Sequence, residues 1–306
     1  MTCKPVVSVI IPAWNAEVFV AQTINSVLAQ TYPSVEILVG DDASTDGTRR
    51  VLESFGDCIR IFGSDRNGGN GQLRNRLVTE ARGKYVAFLD HDDQWHPEKL
   101  QQQVEAMEAN PRASLCHTAS ELFGDATGSG PVADEVRRNL HGRCFDKLIY
   151  RNGILISTMM VRRELLPTPA FWADLPGVRD YGLCLRLLFD HEAIYLPQFL
   201  TRYRRHDTQI TAKGERYLQI NAGACRLRIL DEFHDGIEPR LFQQGKDAAL
   251  EELSRCAYSF YWRGEFDLAE RGFALLRAND HAVPLRHRAR AALTNRWRSW
   301  TQRKAV

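Results

Sequence analysis

The chain has 306 residues, with 40 Lys and Arg against 38 Asp and Glu, a net charge of +2. That length suits one large domain or a domain with an appendage, and the near-neutral balance leaves no overall footprint for nucleic acid. The 44% hydrophobic and 25% charged fractions are ordinary for a globular chain, and no apolar run reaches the length of a membrane span. Seven scattered cysteines without a C-x-x-C pair predict free thiols in a reducing compartment. The N-terminal run VVSVIIP is too short to span a bilayer and has no small-residue cleavage site behind it, so a cytoplasmic location is expected.

Val6 to Pro12 predicts a first, fully buried strand, with Asn15 in the turn after it. Val20, Ile24, Val27 and Leu28 then mark one face of a helix. Val35 to Gly40 predicts a second strand ending in Asp41 and Asp42. Ser44 to Thr48, STDGT, carries turn and cap chemistry that opens a second helix through Phe55. A third strand is expected at Ile59 to Gly63, then a tight turn at Asn67 to Asn70 and a helix carrying Arg74 and Asn75. Tyr85 to Leu89 predicts a fourth buried strand. Strands alternating with helices imply an α/β fold with a mostly parallel sheet covered on both faces.

After Pro97 a helix is expected to Ala109, then a strand from Ala113 to Phe123 and a loop from Gly124 to Pro131 that continues as polar chain to Arg143. A short helix at Cys144 to Arg151, a strand at Ile154 to Val161 and a helix at Asp180 to Asp190 follow. Ala193 to Tyr203 is expected to be extended, leading into a basic loop, RYRRHDTQIT. The composition turns helical at Lys213, which divides the chain into residues 1–212 and a helical region, 213–306. Ala257 to Ala278 has the pattern of one tetratricopeptide-like helix pair; a single copy cannot stack, so a helical hairpin is expected.

The chemistry concentrates in Gly83 to Pro97, GKYVAFLDHDDQWHP, where a buried strand delivers Asp90, Asp92 and Asp93 at its carboxyl end. Ligands of open α/β sheets bind at that edge. Carboxylates this close repel one another unless a cation sits between them, and hard oxygen ligands suit Mg²⁺ or Mn²⁺. The alternative is a helix cap, but the residue before Pro97 is His96, not an aspartate. Asp41 and Asp42 end the second strand on the same edge, where an acid can accept a hydrogen bond from a base or ribose.

VSVIIPAWN, SVLAQTYPSVEILVGDDASTDGT, NGGNGQLRN and GKYVAFLDHDDQWHPEKL, in this order, resemble the successive signatures of the family 2 glycosyltransferases, which have the GT-A (Rossmann-like) fold. The resemblance resumes at VRDYGLCLRLL and YRRHDTQIT and so covers most of the first two thirds of the chain. It implies a nucleotide pocket lined by Pro12, Ala13, Asn15 and Asp42, with Asp42 reading a pyrimidine and Arg74 in a contributing segment. Asp90 and Asp92 match the family's D-x-D, which holds the divalent metal, ribose and diphosphate. Asp93 is adjacent, and which carboxylates touch the metal stays open. Asp180 falls at the family's catalytic base. The family commonly has an acid before it; here the preceding residue is Arg179, which would favour ionised Asp180 if the two side chains approach. His206 matches a histidine of a loop over the diphosphate.

The implied activity is inverting transfer of a sugar from a nucleoside-diphosphate sugar, UDP first and dTDP or GDP next, to an acceptor hydroxyl in polysaccharide or glycolipid synthesis. Partners would be that donor and a carbohydrate or lipid-linked acceptor. Two other classes compete: a phosphohydrolase with an aspartyl nucleophile, for which Gln94 stands where Thr or Val is wanted, and a non-catalytic nucleotide-sugar binding module. The C-terminal RHRARAALTNRWRSWTQRK reads equally as an interfacial helix on anionic lipid, a peripheral membrane contact, or as a helix packed on the domain through Trp297 and Trp300.

Overall fold

Seven consecutive buried residues, Val7–Ala13, form β1, and the sheet is wound about it. The computed structural model describes residues 6–207, 209 and 217–283. β1 pairs in parallel with β2 (Val35–Asp41) on one side and with β4 (Tyr85–Phe88) on the other, while β3 (Arg60–Gly63) continues beyond β2. The winding therefore reverses between β1 and β4, which makes a crevice beyond their carboxyl ends. Register keeps that edge level: Ala13 pairs with Asp41, and Asp41 with Gly63. Beyond β4 come β8 (Met160–Arg162), β6 (Ala113–Gly124), β9 (Glu192–Arg205) and the two-residue β5 (Gln94–Trp95); β7 (Gly128–Ser129) pairs with β6. β8 is antiparallel to both neighbours, and β6 and β9 run parallel.

Helices cover both faces, as a sheet rich in β-branched residues on both sides requires. α1 (Val20–Leu28) and α4 (Lys99–Ala109) close one face, where Val9, Ile11, Ile24, Val39, Leu100 and Met107 share a core. Leu28, counted by its spacing with the inner face, stays 46% exposed. α3 (Asn70–Glu80) presses close on β2: a Cβ on Gly40 would lie 2.6 Å from Leu73. α2 (Thr48–Glu53) and α7 (Arg179–Asp190) complete the main helices of this part.

Two stretches differ from expectation. Only the end of Ile154 to Val161 is strand; Ile156–Thr158 is a 3-10 turn. Hydroxyls explain it: Thr158 Oγ1 donates to the Leu155 carbonyl at 2.6 Å, and Ser157 Oγ accepts from the Asp90 N–H at 3.1 Å. Such side-chain bonds compete with a strand ladder. The expected polar loop holds β7 and the short α5 (Asp134–Arg138), in which Asp134 and Arg138 pair one turn apart. α6 (Phe145–Leu148) follows.

The chain divides into two compact units at Lys213 and Gly214, with Leu175–Val178 belonging to the second. The second unit is built from α8 (Tyr217–Glu232), α9 (Pro239–Trp262) and α10 (Phe266–Ala278). Glu238 caps α9 by accepting from the Arg240 and Leu241 N–H groups, with Pro239 opening the helix. α9 and α10 form the hairpin, turning at Gly264 with φ +76°, and Gly272 lets α10 approach Ala257 closely. The basic C-terminal stretch, residues 284–306, lies outside the described residues, as do Thr208 and residues 210–216, which include the end of the basic loop. Among the described residues no helix is long and apolar enough to cross a membrane.

Candidate active site

The chain leaves β4 through Leu89, whose N–H donates to Ile10 O at 3.0 Å, and enters a turn closed by the Asp93 N–H on Asp90 O at 3.1 Å. Neighbouring side chains fix this turn from several sides. The Thr23 hydroxyl is shared between the carbonyls of His91 and Asp93, and His91 Nδ1 donates to Pro12 O at 3.2 Å. Ser157 holds the Asp90 N–H, and Arg204 Nε donates to Asp92 O at 2.7 Å. The three aspartates then face different surroundings.

Asp90 pairs with Arg74, reaching across from α3. Arg74 is 7% exposed, packs over the Phe171 ring and leaves its Nε buried without a hydrogen bond. Asp180, at the start of α7, belongs to the same group. Burial pushes its carboxyl up to about 6; the Tyr181 N–H, at 2.9 Å from Oδ1, and the Arg74 charge oppose that shift, and the Asp90 charge adds to it. Asp180 is enclosed by protein yet keeps partial solvent exposure, as a carboxylate on the floor of a cleft does. Arg179 precedes it on α7. Its side chain lies along α3, where a Cβ on Gly71 would meet it at 2.6 Å, and its Nη2 donates to Ala173 O.

Asp92 stands with His206: Oδ2 and Nε2 are 3.0 Å apart, and the imidazole packs on Phe19 at 4.8 Å. Asp93 turns inward. It is 1% exposed, its Oδ1 accepts from the Arg204 N–H at 2.9 Å, and burial together with the charges of Asp92 and Asp90 raises its carboxyl well above the usual carboxylate range. Arg204 itself lies between the rings of Phe19 and Phe123, at 4.5 and 4.3 Å. Among the described residues no three His, Cys, Asp or Glu side chains converge as a metal cage. A hard divalent ion that keeps water and takes phosphate oxygens asks for only one or two protein donors. An oxygen and an imidazole nitrogen side by side, partly open to solvent, fit that need.

Across β1, Asn15 adopts a left-handed φ of +48°, which asparagine tolerates; its Oδ1 accepts from the Thr45 N–H at 2.9 Å, and its own N–H donates to Ser44 Oγ. Asp41 makes a local turn bond to Ser44 N. Asp42 is 2% exposed and accepts from the Gly68 and Gly69 N–H groups at 3.0 and 2.7 Å, next to the α3 N-terminus, while its own N–H donates to Ala13 O. The structure thus collects the expected residues into an Asp90–Arg74–Asp180 group and an Asp92–His206 pair, with Asp42 bonded to Ala13 and Asn15 bonded to Ser44 and Thr45 at the ends of β1 and β2. Ser157, Thr23 and Arg204 were not singled out from sequence. Arg204 stood inside a recognised motif, whereas the other two carry no local signal.

The open sheet, with helices on both faces and carboxylates gathered at its switch point, has the GT-A type of fold. The chain belongs to Glycosyl transferase family 2, whose profile matches residues 8–166, more than half of it. Putative teichuronic acid biosynthesis glycosyltransferase TuaG of Bacillus subtilis is 43% identical over 216 residues, covering 68% of this chain and 82% of that one. UDP-Glc:alpha-D-GlcNAc-diphosphoundecaprenol beta-1,3-glucosyltransferase WfgD of Escherichia coli is 32% identical over 209 residues, covering 67% and 79%. Among solved structures, TarS 1-349 of S. aureus in complex with UDP-GlcNAc has a TM-score of 0.60 at 16% identity, over 91% of this chain and 93% of that one. Mannosyltransferase PcManGT from Pyrobaculum calidifontis, in complex with GDP-Man and Mn²⁺, has a TM-score of 0.59 at 21% identity, over 99% and 85%. The structural likeness shows the fold.

Proposed function

We propose that this glycosyltransferase moves a sugar from a UDP-sugar to a hydroxyl of a lipid-linked saccharide in surface-polysaccharide assembly, by one inverting displacement. The observation that supports the reading is the grouping of Asp90, Arg74 and Asp180 at the switch-point edge: Asp90 pairs with the arginine, and the raised Asp180 carboxyl feels both of their charges. The names of the two sequence relatives, one concerned with teichuronic acid and one with a UDP-glucose donor and a diphosphoundecaprenol acceptor, support the donor and acceptor class.

Asp92 and His206 would hold a divalent ion, Mn²⁺ or Mg²⁺, with Asp90 beside them. Such an ion supplies charge neutralisation for the departing diphosphate. Asp42 and Asn15, with Pro12 and Ala13, would form the nucleoside wall, Asp42 accepting from the base through lone pairs left free by Gly68 and Gly69. Asp180 takes the proton from the acceptor hydroxyl as that oxygen attacks the anomeric carbon; the glycosidic bond forms as the bond to diphosphate breaks. Arg74 draws Asp90 to itself and favours the ionised form of Asp180. The test is a thermal-shift panel of UDP, dTDP, GDP and phosphate with Mn²⁺, followed by donor turnover. Stabilisation by UDP above the others is expected; a preference for GDP would move the donor assignment, and no response to any nucleotide would reject it.

A further inference from the structure

Lys99, in the first turn of α4, is 0% exposed. Among the described residues no carboxylate pairs with it. Its Nζ donates to Gln103 Oε1 and lies 4.2 Å from the centre of the Trp95 ring. An ammonium buried against neutral partners is costly. Both partners lead to the same place. Gln103 Nε2 spends its two hydrogens on the carbonyls of Cys116 and Thr158, each at 3.0 Å. Trp95 Nε1 donates to Ser157 O at 2.8 Å. Two adjacent carbonyls of the 3-10 turn are therefore held by the two side chains that Lys99 touches. The hydroxyl of that turn's Ser157 in turn holds the Asp90 N–H. The lysine also sets the Gln103 amide: without a donor at Oε1, its present orientation leaves a buried oxygen unsatisfied.

We propose that Lys99 is a positioning residue that fixes the Asp90–Asp93 turn for donor binding, acting through Gln103 and Trp95 on Ser157. The proposal rests on the reading that this turn holds the donor's diphosphate. Burial lowers the Lys99 ammonium to about 7, and the titratable group facing it is Cys116 on β6, whose thiol burial pushes up to about 12 and keeps neutral. The post is therefore fully charged only below neutral pH.

The experiment is calorimetry of UDP with Mn²⁺ on the full chain, with thermal unfolding of each protein measured alone. Lys99→Met should melt near wild type, because the gain from removing a buried charge offsets the cost of leaving Gln103 Oε1 without a donor. Its UDP affinity should nonetheless fall on the order of tenfold, the usual effect of losing an outer-shell support. The gap from wild type should persist from pH 6 to pH 8, because the neutral amine keeps an N–H for Gln103 Oε1. Trp95→Phe keeps a ring under Lys99 but removes the N–H on Ser157 O, and should lose affinity in the same direction. Affinity within about twofold of wild type in both variants overturns the proposal. So does a loss matched by a fall in melting temperature, which would assign Lys99 to the core alone. Asp92→Asn separates the two levels: if it binds UDP and Mn²⁺ as wild type does, the donor-site reading itself fails. If it loses binding while Lys99→Met keeps it, only the role of Lys99 fails.

Discussion

Asp180→Asn separates chemistry from binding, and its expected effects follow from the surroundings of that carboxyl. With the carboxyl pushed up to about 6, the base is ionised at neutral pH but loses its charge as pH falls. Transfer by wild type, followed as single-turnover product formation, should fall about tenfold per pH unit below that value. Asn removes the basic site and should slow transfer by about 10²–10⁴-fold, with UDP affinity by calorimetry near wild type. Stability should move the other way. A carboxyl raised in the folded state contributes stability below its ordinary value near 4, and that contribution is lost as pH rises through about 6. At pH 8 the folded wild type thus bears the cost of an ionised, partly buried carboxylate, about 1–3 kcal/mol once the solvent still reaching it is allowed for. Asp180→Asn should be more stable than wild type at pH 8 by about that amount, and the difference should close towards pH 4 in denaturant titrations. A variant that is slower only because it is less stable, or one that transfers at the wild-type rate, would refute the reasoning. Loss of UDP binding in a stable variant would move Asp180 into the donor site.

Asp42→Ala should weaken uridine as well as UDP, by about ten- to a hundredfold, since a charged hydrogen bond contributes about 1.5–3 kcal/mol; equal uridine affinity by calorimetry would leave Asp42 with only its Gly68 and Gly69 contacts. Arg74→Met breaks the pair with Asp90 and removes the cation that favours ionised Asp180. Its pH–rate profile should therefore shift to higher pH, and an unshifted profile would show that Arg74 does not act on the base. Removing residues 284–306 should lower sedimentation with anionic vesicles while sparing UDP binding; unchanged sedimentation would favour the packed-helix reading of that stretch.

The parallel half of the fold was legible because its signals are local. β1 and β4 are short apolar runs bounded by turn residues, and each is buried throughout. β5 was not legible: Gln94 and Trp95 become strand only by pairing with Arg202 and Thr201, more than a hundred residues away. The turn at Ile156–Thr158 was read as strand from an apolar neighbourhood. Its hydroxyls decide otherwise: Thr158 Oγ1 bonds back to Leu155 O, and Ser157 Oγ holds the distant Asp90 N–H.

The same distinction runs through the site. Asp180 could be picked out because its motif resembles the family's, and Asp90, Asp92 and Asp42 because an aspartate at a strand end is visible in one dimension. What differentiates them is not. Asp93, one residue from Asp92, was grouped with it as a metal candidate, yet its Oδ1 is taken by the backbone of Arg204 and the side chain is withdrawn from solvent. Arg179 seemed the natural partner of Asp180 by adjacency, but successive residues on a helix point about 100° apart. Gly71, with no Cβ, leaves the space along α3 that Arg179 fills, and Arg74 is a cation whose charge lowers the Asp180 carboxyl. A change at Gly71 should then reach the base indirectly: Gly71→Ala would force Arg179 off α3, at whose N-terminus the Asp42-bound glycines lie. If donor affinity falls while the pH–rate profile stays in place, Arg179 supports the nucleotide side; if the profile moves down instead, the displaced arginine has come to face Asp180.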